Sequence, residues 1–252
     1  MGVYRGLMHQ ELGSYSIRRH PSLADQVYEA LTDSISIGRL QPGQRLVLDR
    51  LAEQLGVSQT PIREALARLL QDGVIEEGLH GKLRMISITP RYVSDAFLVR
   101  ASLEGVAAEL AASRMTDVQI AELRAMLAHA ADALASDVFG PHISVDNRLH
   151  SAVCETAGNV LLARELKSLQ LHIDFIRGYS QRHSGDHIRR SHEEHVALLD
   201  ALTRRDPSAA RTAMELHIHL SGERISRLLD FNDETDLEFD HAIRGAKRAS
   251  SS

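Results

Sequence analysis

Apolar residues recur at helical spacing over most of the chain, and the breaks in that spacing mark its elements. Leu23, Val27, Leu31 and Ile35 share one helical face after Ser22, which can cap the helix, and Gly38 ends it. Residues 39–46 hold the turn pair Pro42-Gly43 and lead into a short extended segment. Leu51, Ala52 and Leu55 then form a second apolar face that Gly56 stops, since glycine holds a left-handed helix end at least cost. Val57 is an apolar plug. Ser58 or Thr60 can cap the next helix, and Pro61 sits in its first turn, where a missing N–H costs no hydrogen bond. Ile62, Ala65, Leu66, Leu69 and Leu70 continue at helical spacing. Helix, glycine turn and helix over 48–73 predict a helix-turn-helix.

Beyond Gly73 the period changes. Runs at 74–77 and 82–88 read as strands around Gly78-Leu79-His80-Gly81, a hairpin that makes the motif winged. The alternative is an ordinary interdomain connection. Thr89-Pro90 marks a boundary, after which strand signals vanish. Helical patterns run over 91–114, 117–135, 142–157, 160–180, 186–204 and 207–230, punctuated by Gly140-Pro141, Gly158-Asn159, Ser184-Gly185 and Asp206-Pro207. The expected fold is mainly α. A flexible segment at 1–20 precedes a winged helix-turn-helix domain at 21–89. An all-α bundle of about six helices spans 90–231, and a disordered polar tail covers 232–252.

Composition narrows the function classes. No apolar run reaches the ~18–20 residues of a membrane span, and the N-terminus lacks a signal-peptide core. The single Cys154 excludes an intrachain disulfide framework, so a cytoplasmic location is expected, with Cys154 a small buried hydrophobe. Net charge is −5, yet residues 1–89 carry 10 Lys+Arg against 10 Asp+Glu. The whole acidic excess therefore lies downstream, which permits nucleic-acid binding by the first third.

A recognition helix presents its N-terminal side chains to the major groove. Here these are Ser58, Gln59, Thr60 and Arg63. Arg63 can donate bidentately to guanine and Gln59 can pair with adenine, the alternative for Arg63 being a phosphate clamp or a surface ion pair with Glu64. The stretches IGRLQPGQRL and LAEQLGVSQTPIREALARLLQDGVIE resemble the DNA-binding domain of GntR-type bacterial transcription regulators. The resemblance covers about 22–89. It implies that His80, Gly81 and Lys82 form a wing tip that reaches the minor groove. Arg45, Arg50 and Arg68 are read as phosphate contacts or solvated charges. The family usually has Arg where Gln59 stands, which puts an altered operator preference at that position.

The second constellation is imidazole-rich, with 11 of the 14 histidines after residue 90. Asp146 and His150 lie at i, i+4 on one helical face. His195 and His217 each stand among apolar helical neighbours. Three imidazoles and a carboxylate suit Zn²⁺, Ni²⁺ or a similar borderline ion, although spacing alone does not bring the four together. The all-helical remainder resembles the FCD effector domain of the FadR subgroup. Asp146, His150, His195 and His217 stand at the positions where many such domains carry a metal-binding Asp-x-x-x-His, a later Glu-His and a final His. His192 is expected to be a solvated neighbour or spare ligand, His219 a solvated neighbour, and His172 has no assigned role.

The same resemblance implies an effector. Arg100 matches an Arg that faces the cavity, where it can hold a carboxylate bidentately. The alternative is an i, i+4 ion pair with Glu104. The implied ligand is a small organic acid, such as a hydroxy acid, sugar acid or dicarboxylate, bound at or beside the metal. The implied assembly is a homodimer on a near-palindromic double-stranded operator, with repression relieved by the acid as the commoner behaviour. Two other functions compete. A metal-dependent hydrolase would need a general base, and only Glu194 offers one, while Glu193 and Glu194 are expected to face solvent or orient His195. A constitutive DNA-binding protein would use the metal only to hold its fold.

Overall fold

The computed structural model describes residues 21–180 and 185–229. The expected flexible N-terminus (1–20) and polar tail (232–252) lie outside the described residues. Nine α-helices and one two-stranded sheet are formed among them.

The N-terminal part begins with α1 (Leu23–Ser36), α2 (Leu48–Leu55) and α3 (Gln59–Gln71). Ser22 caps α1 through a reciprocal pair of bonds: its Oγ accepts from Asp25 N at 3.1 Å, and its N–H donates to Asp25 Oδ2 at 3.0 Å. Helix α2 ends at Gly56 in the left-handed region (φ 66°), which turns the chain sharply into α3. The backbone of Ser58 occupies the cap position of α3, but its side chain accepts no capping bond and neither does Thr60, which lies inside the helix. Both hydroxyls therefore stay on the exposed surface, contrary to the capping role expected of one of them. Leu31, Ile35, Leu51, Ile62, Leu66 and Leu69 bury the inner faces of the three helices.

The wing follows as β1 (Ile75–Glu77) and β2 (Leu83–Met85), antiparallel with Ile75 opposite Met85 and Glu77 opposite Leu83. The strands are shorter than the runs in the sequence because residues 79–81 form a 3₁₀ turn with His80 (φ 62°) and Gly81 (φ 71°) left-handed. The extended segment after Pro42-Gly43 joins the edge of this sheet. Leu46 donates to Leu83 O and Met85 to Gln44 O, both at 2.9 Å.

Six further helices complete the chain: α4 (Pro90–Ala112), α5 (Asp117–Leu134), α6 (Gly140–Ala157), α7 (Val160–Tyr179), α8 (Gly185–Thr203) and α9 (Pro207–Leu229). Thr89 caps α4, accepting from Tyr92 N at 3.1 Å, and Pro90 opens it. Helix α4 buries Ala101, Ala107, Ala108 and Ala111, a small-residue face that lets it lie centrally against α9, α6 and α7. This places α6, α8 and α9 around a shared interior.

Helix α7 also reaches the N-terminal part. A methyl group built on Gly178 would stand 2.7 Å from the carbonyl oxygens of Ile35 and Ser36, so only glycine permits this approach to the end of α1. One turn and a half earlier, His172 packs beside Gly73 and its Nδ1 is hydrogen-bonded to the Tyr92 hydroxyl. No helix among the described residues is long and apolar enough to cross a membrane.

Candidate metal centre and nucleic-acid face

Asp146 and His150 project from α6, His195 from α8 and His217 from α9, and one ligand atom from each lies within 4.8 Å of all the others. Asp146 Oδ1 is 3.7 Å from His150 Nε2, 3.3 Å from His195 Nε2 and 3.9 Å from His217 Nε2. His217 Nε2 is 3.2 Å from His150 Nε2 and 3.3 Å from His195 Nε2. Four ligands at about 2.0–2.2 Å from a tetrahedral ion stand about 3.3–3.6 Å apart, so the residues fit the ion that the sequence implied. The four residues that the sequence offered are thus brought together.

Their surroundings fix the imidazoles. His150 Nδ1 bonds Glu104 Oε2, and Glu104 Oε1 accepts from Arg100 Nε at 2.6 Å. His217 Nδ1 donates to Glu194 Oε2 at 2.9 Å, and Arg224 holds both oxygens of Glu194 at 2.7 and 2.9 Å. Each carboxylate places a proton on Nδ1, which leaves the Nε2 lone pair turned inward for a metal. Glu194 therefore orients His217, not His195 and not solvent: neighbouring residues on a helix diverge by about 100°, so Glu194 and His195 aim at different partners. The outer Nδ1 of His195 is buried without a hydrogen-bond partner among the described residues.

The electrostatics follow from this network. Burial alone would raise the Asp146 carboxyl, but Arg177 and the bonds from His150 and His195 hold it well below the usual range. Burial likewise opposes Glu104 ionisation, and Arg100 and His150 overcome it. Burial pushes His195 down to about 4 and lowers His217, whereas Glu104 lifts His150 against its burial.

A cavity of about 500 Å³ opens beside the centre, with Arg100, Glu104, Asp146, His150, Ile173 and Arg177 among its walls. Arg100 makes the i, i+4 ion pair with Glu104 and also borders this space. Its Nη1 is buried with no hydrogen-bond partner among the described residues. Arg177, which sequence reasoning missed, bonds Asp146 Oδ2 at 3.1 Å. No local pattern marks Arg177 or Arg224, because their partners lie on other helices. Of the remaining histidines, His219 is exposed and pairs with Glu223 at 3.1 Å, whereas His192 is half-buried against His142.

On the N-terminal part, Ser58, Gln59, Thr60 and Arg63 form one exposed edge of α3. Gln59 Nε2 donates to Asp49 Oδ1 at 2.5 Å, and Gln59 Oε1 accepts from Arg63 Nη2 at 3.2 Å. Both ends of the amide that would pair with adenine are thus engaged without DNA. Arg45, Arg50, His80, Gly81 and Lys82 are exposed. Arg68 is placed differently: it bonds Asp25 at 2.8 Å and lies 3.8 Å over the Tyr28 ring, clamping α3 to α1.

Comparison with known proteins bears on both regions. Residues 23–77 match the family of bacterial regulatory proteins called gntR, and residues 95–220 match the FCD domain. The chain is 31% identical over 151 residues to the HTH-type transcriptional regulator McbR of Escherichia coli (strain K12), spanning 60% of this chain and 68% of that protein. It is 27% identical over 197 residues to a probable D-xylose utilization operon transcriptional repressor of Paenarthrobacter nicotinovorans, spanning 78% and 86% of the two. The solved structure of E. coli McbR/YncC matches with a TM-score of 0.68 at 26% identity, covering 85% of this chain and 100% of that one.

Proposed function

The chain belongs to the GntR family of bacterial regulatory proteins and carries an FCD domain, and from this premise we propose that it is a metal-dependent, acid-responsive repressor. It is a DNA-binding transcription regulator and not an enzyme, as its relatives are. In this reading residues 21–89 bind DNA and residues 90–231 sense the ligand and pair two copies of the chain. Two copies set two α3 helices on half-sites of a near-palindrome. Gln59, Thr60, Ser58 and Arg63 face the major groove, His80, Gly81 and Lys82 the minor groove, and Arg45 and Arg50 the phosphates.

Asp146, His150, His195 and His217 hold one divalent ion, zinc or nickel. The bound ion supplies a fixed positive charge that attracts a carboxylate. Arg100 supplies donors to the same carboxylate. The observation that carries this reading is Arg100: its side chain borders the cavity that the four-ligand centre adjoins, and its buried Nη1 has no hydrogen-bond partner among the described residues. A buried guanidinium nitrogen without an acceptor is costly, and an incoming carboxylate oxygen relieves it.

The test is fluorescence anisotropy on the chain's own promoter DNA, with a panel of hydroxy, sugar and dicarboxylic acids, before and after chelation. One acid should lower DNA affinity at least several-fold in the metal-loaded protein and not in Arg100→Ala. Sequence-specific binding that no acid alters, with metal removal only unfolding the protein, would favour the constitutive reading instead.

A further inference from the structure

Two buried imidazole nitrogens outside the four-ligand centre have no hydrogen-bond partner among the described residues: Nδ1 of His142 and Nδ1 of His192. His142 lies one helical turn before Asp146 on α6 and is 3% exposed. His192 lies one turn before His195 on α8 and is half-buried. Their rings are tilted at 59° to each other with centroids 5.8 Å apart, and His142 also stacks on the His195 ring at 5.3 Å. Buried polar atoms are almost always paired, and an orphan of this kind marks a place where water or an ion belongs.

We propose that His142 and His192 form a second cation site behind the first, taking one borderline divalent ion between two imidazoles with water completing its shell. The spacing supports an ion over a direct contact. Two imidazoles on one tetrahedral ion, at about 2.0–2.1 Å from each nitrogen, have ring centres about 5–6 Å apart. The His142–His192 separation falls there and equals the 5.8 Å between His150 and His195, which flank the first centre. Two nitrogens and no convergent carboxylate pair select zinc, nickel, cobalt or copper over magnesium or calcium. On its other side His142 borders a smaller cavity of about 250 Å³, with Asp146, Arg177, Ser191 and Ser221 among its walls. The second ion lies close to the first and shares its buried surroundings, so mutual repulsion makes it the weaker of the two.

The experiment is a Co(II) titration of the full chain after chelator treatment, followed by visible absorption and by metal analysis after equilibrium dialysis. Two equivalents should bind, the second about ten-fold or more weakly. His192→Gln changes a half-buried side chain and should keep the tight equivalent while losing the weak one. His142→Asn should do the same. Asp146→Ala with His217→Ala should lose the tight equivalent and retain the weak one. Saturation of the unmodified chain at one equivalent would overturn the site. So would persistence of the weak equivalent in both single variants, which would assign it to surface histidines.

Discussion

Arg177 reaches from α7 to Asp146 Oδ2 at 3.1 Å while Asp146 Oδ1 faces the three imidazoles. The next residue in α7, Gly178, rests on the backbone of Ile35 and Ser36 at the end of α1. One rigid helix therefore touches both the ligand set and the DNA-binding part. Arg177→Met should lower metal affinity about 10–100-fold, as loss of a supporting group does elsewhere, and competition with a chromophoric chelator would measure it. Gly178→Ala should leave metal affinity intact yet force α1 and α7 apart, at about 1–3 kcal/mol of overpacking, seen as a lower melting temperature. It should also blunt any effect of ligand on DNA affinity. Normal stability in Gly178→Ala would refute the close approach.

Glu194 offers a separate test of the support around the centre. Glu194→Gln neutralises the carboxylate that accepts from His217 Nδ1–H and leaves Arg224 without its charged bidentate partner. Metal affinity should fall about 10–100-fold. A variant at Glu193, the adjacent residue, should bind metal normally, and equal losses at the two positions would contradict the assignment.

The two arginines of α3 should separate cleanly. Arg63→Ala should cost on the order of 1–3 kcal/mol of operator affinity and relax one base position, measured by binding to a set of operator variants. Uniform weakening across all variants would indicate a phosphate contact. Arg68→Ala should leave that profile unchanged and lower the melting temperature, since removal of the Tyr28 contact alone costs about 0.5–1 kcal/mol.

Acid should loosen the metal-free protein before it loosens anything else. The folded-state value of His195 is depressed to about 4, first by burial and then by His217 nearby, from an ordinary 6.5. His142 is depressed to about 4 as well, chiefly by burial. Between these values the unfolded chain takes up protons that the folded chain refuses. Stability is therefore full above pH 6.5 and declines as pH falls from 6.5 toward 4, by up to about 1.4 kcal/mol per unit for each group. His150, raised by Glu104, acts in the opposite sense and offsets part of the loss. Thermal unfolding across this range should show a falling midpoint, with His142→Phe less steep. A flat profile would argue against neutral buried imidazoles.

Much of this was legible in the sequence because it is written at short range. The i, i+4 step from Asp146 to His150, the Gly56 turn and the Thr89-Pro90 helix start each depend on residues within one or two turns. The six downstream helices begin and end close to the breaks in apolar spacing. What the sequence withheld depends on direction and on distant partners. Glu194 adjoins His195 in the chain but serves His217 across a helix interface, and Arg68 looks like a DNA-facing cation until Asp25 and Tyr28 appear beside it. His142 carried no motif at all; its place next to His192 exists only once α6 and α8 pack.

Helix α7 divides its labour by face. Leu166, Gln170 and Ile173 border the large cavity, while His172 and Gly178 bear on the N-terminal part. Substitutions on the first set alter what the cavity admits and leave the seam alone. Under the proposed reading, a few point changes on the first set would exchange one bound acid for another and leave the DNA-binding part as it is.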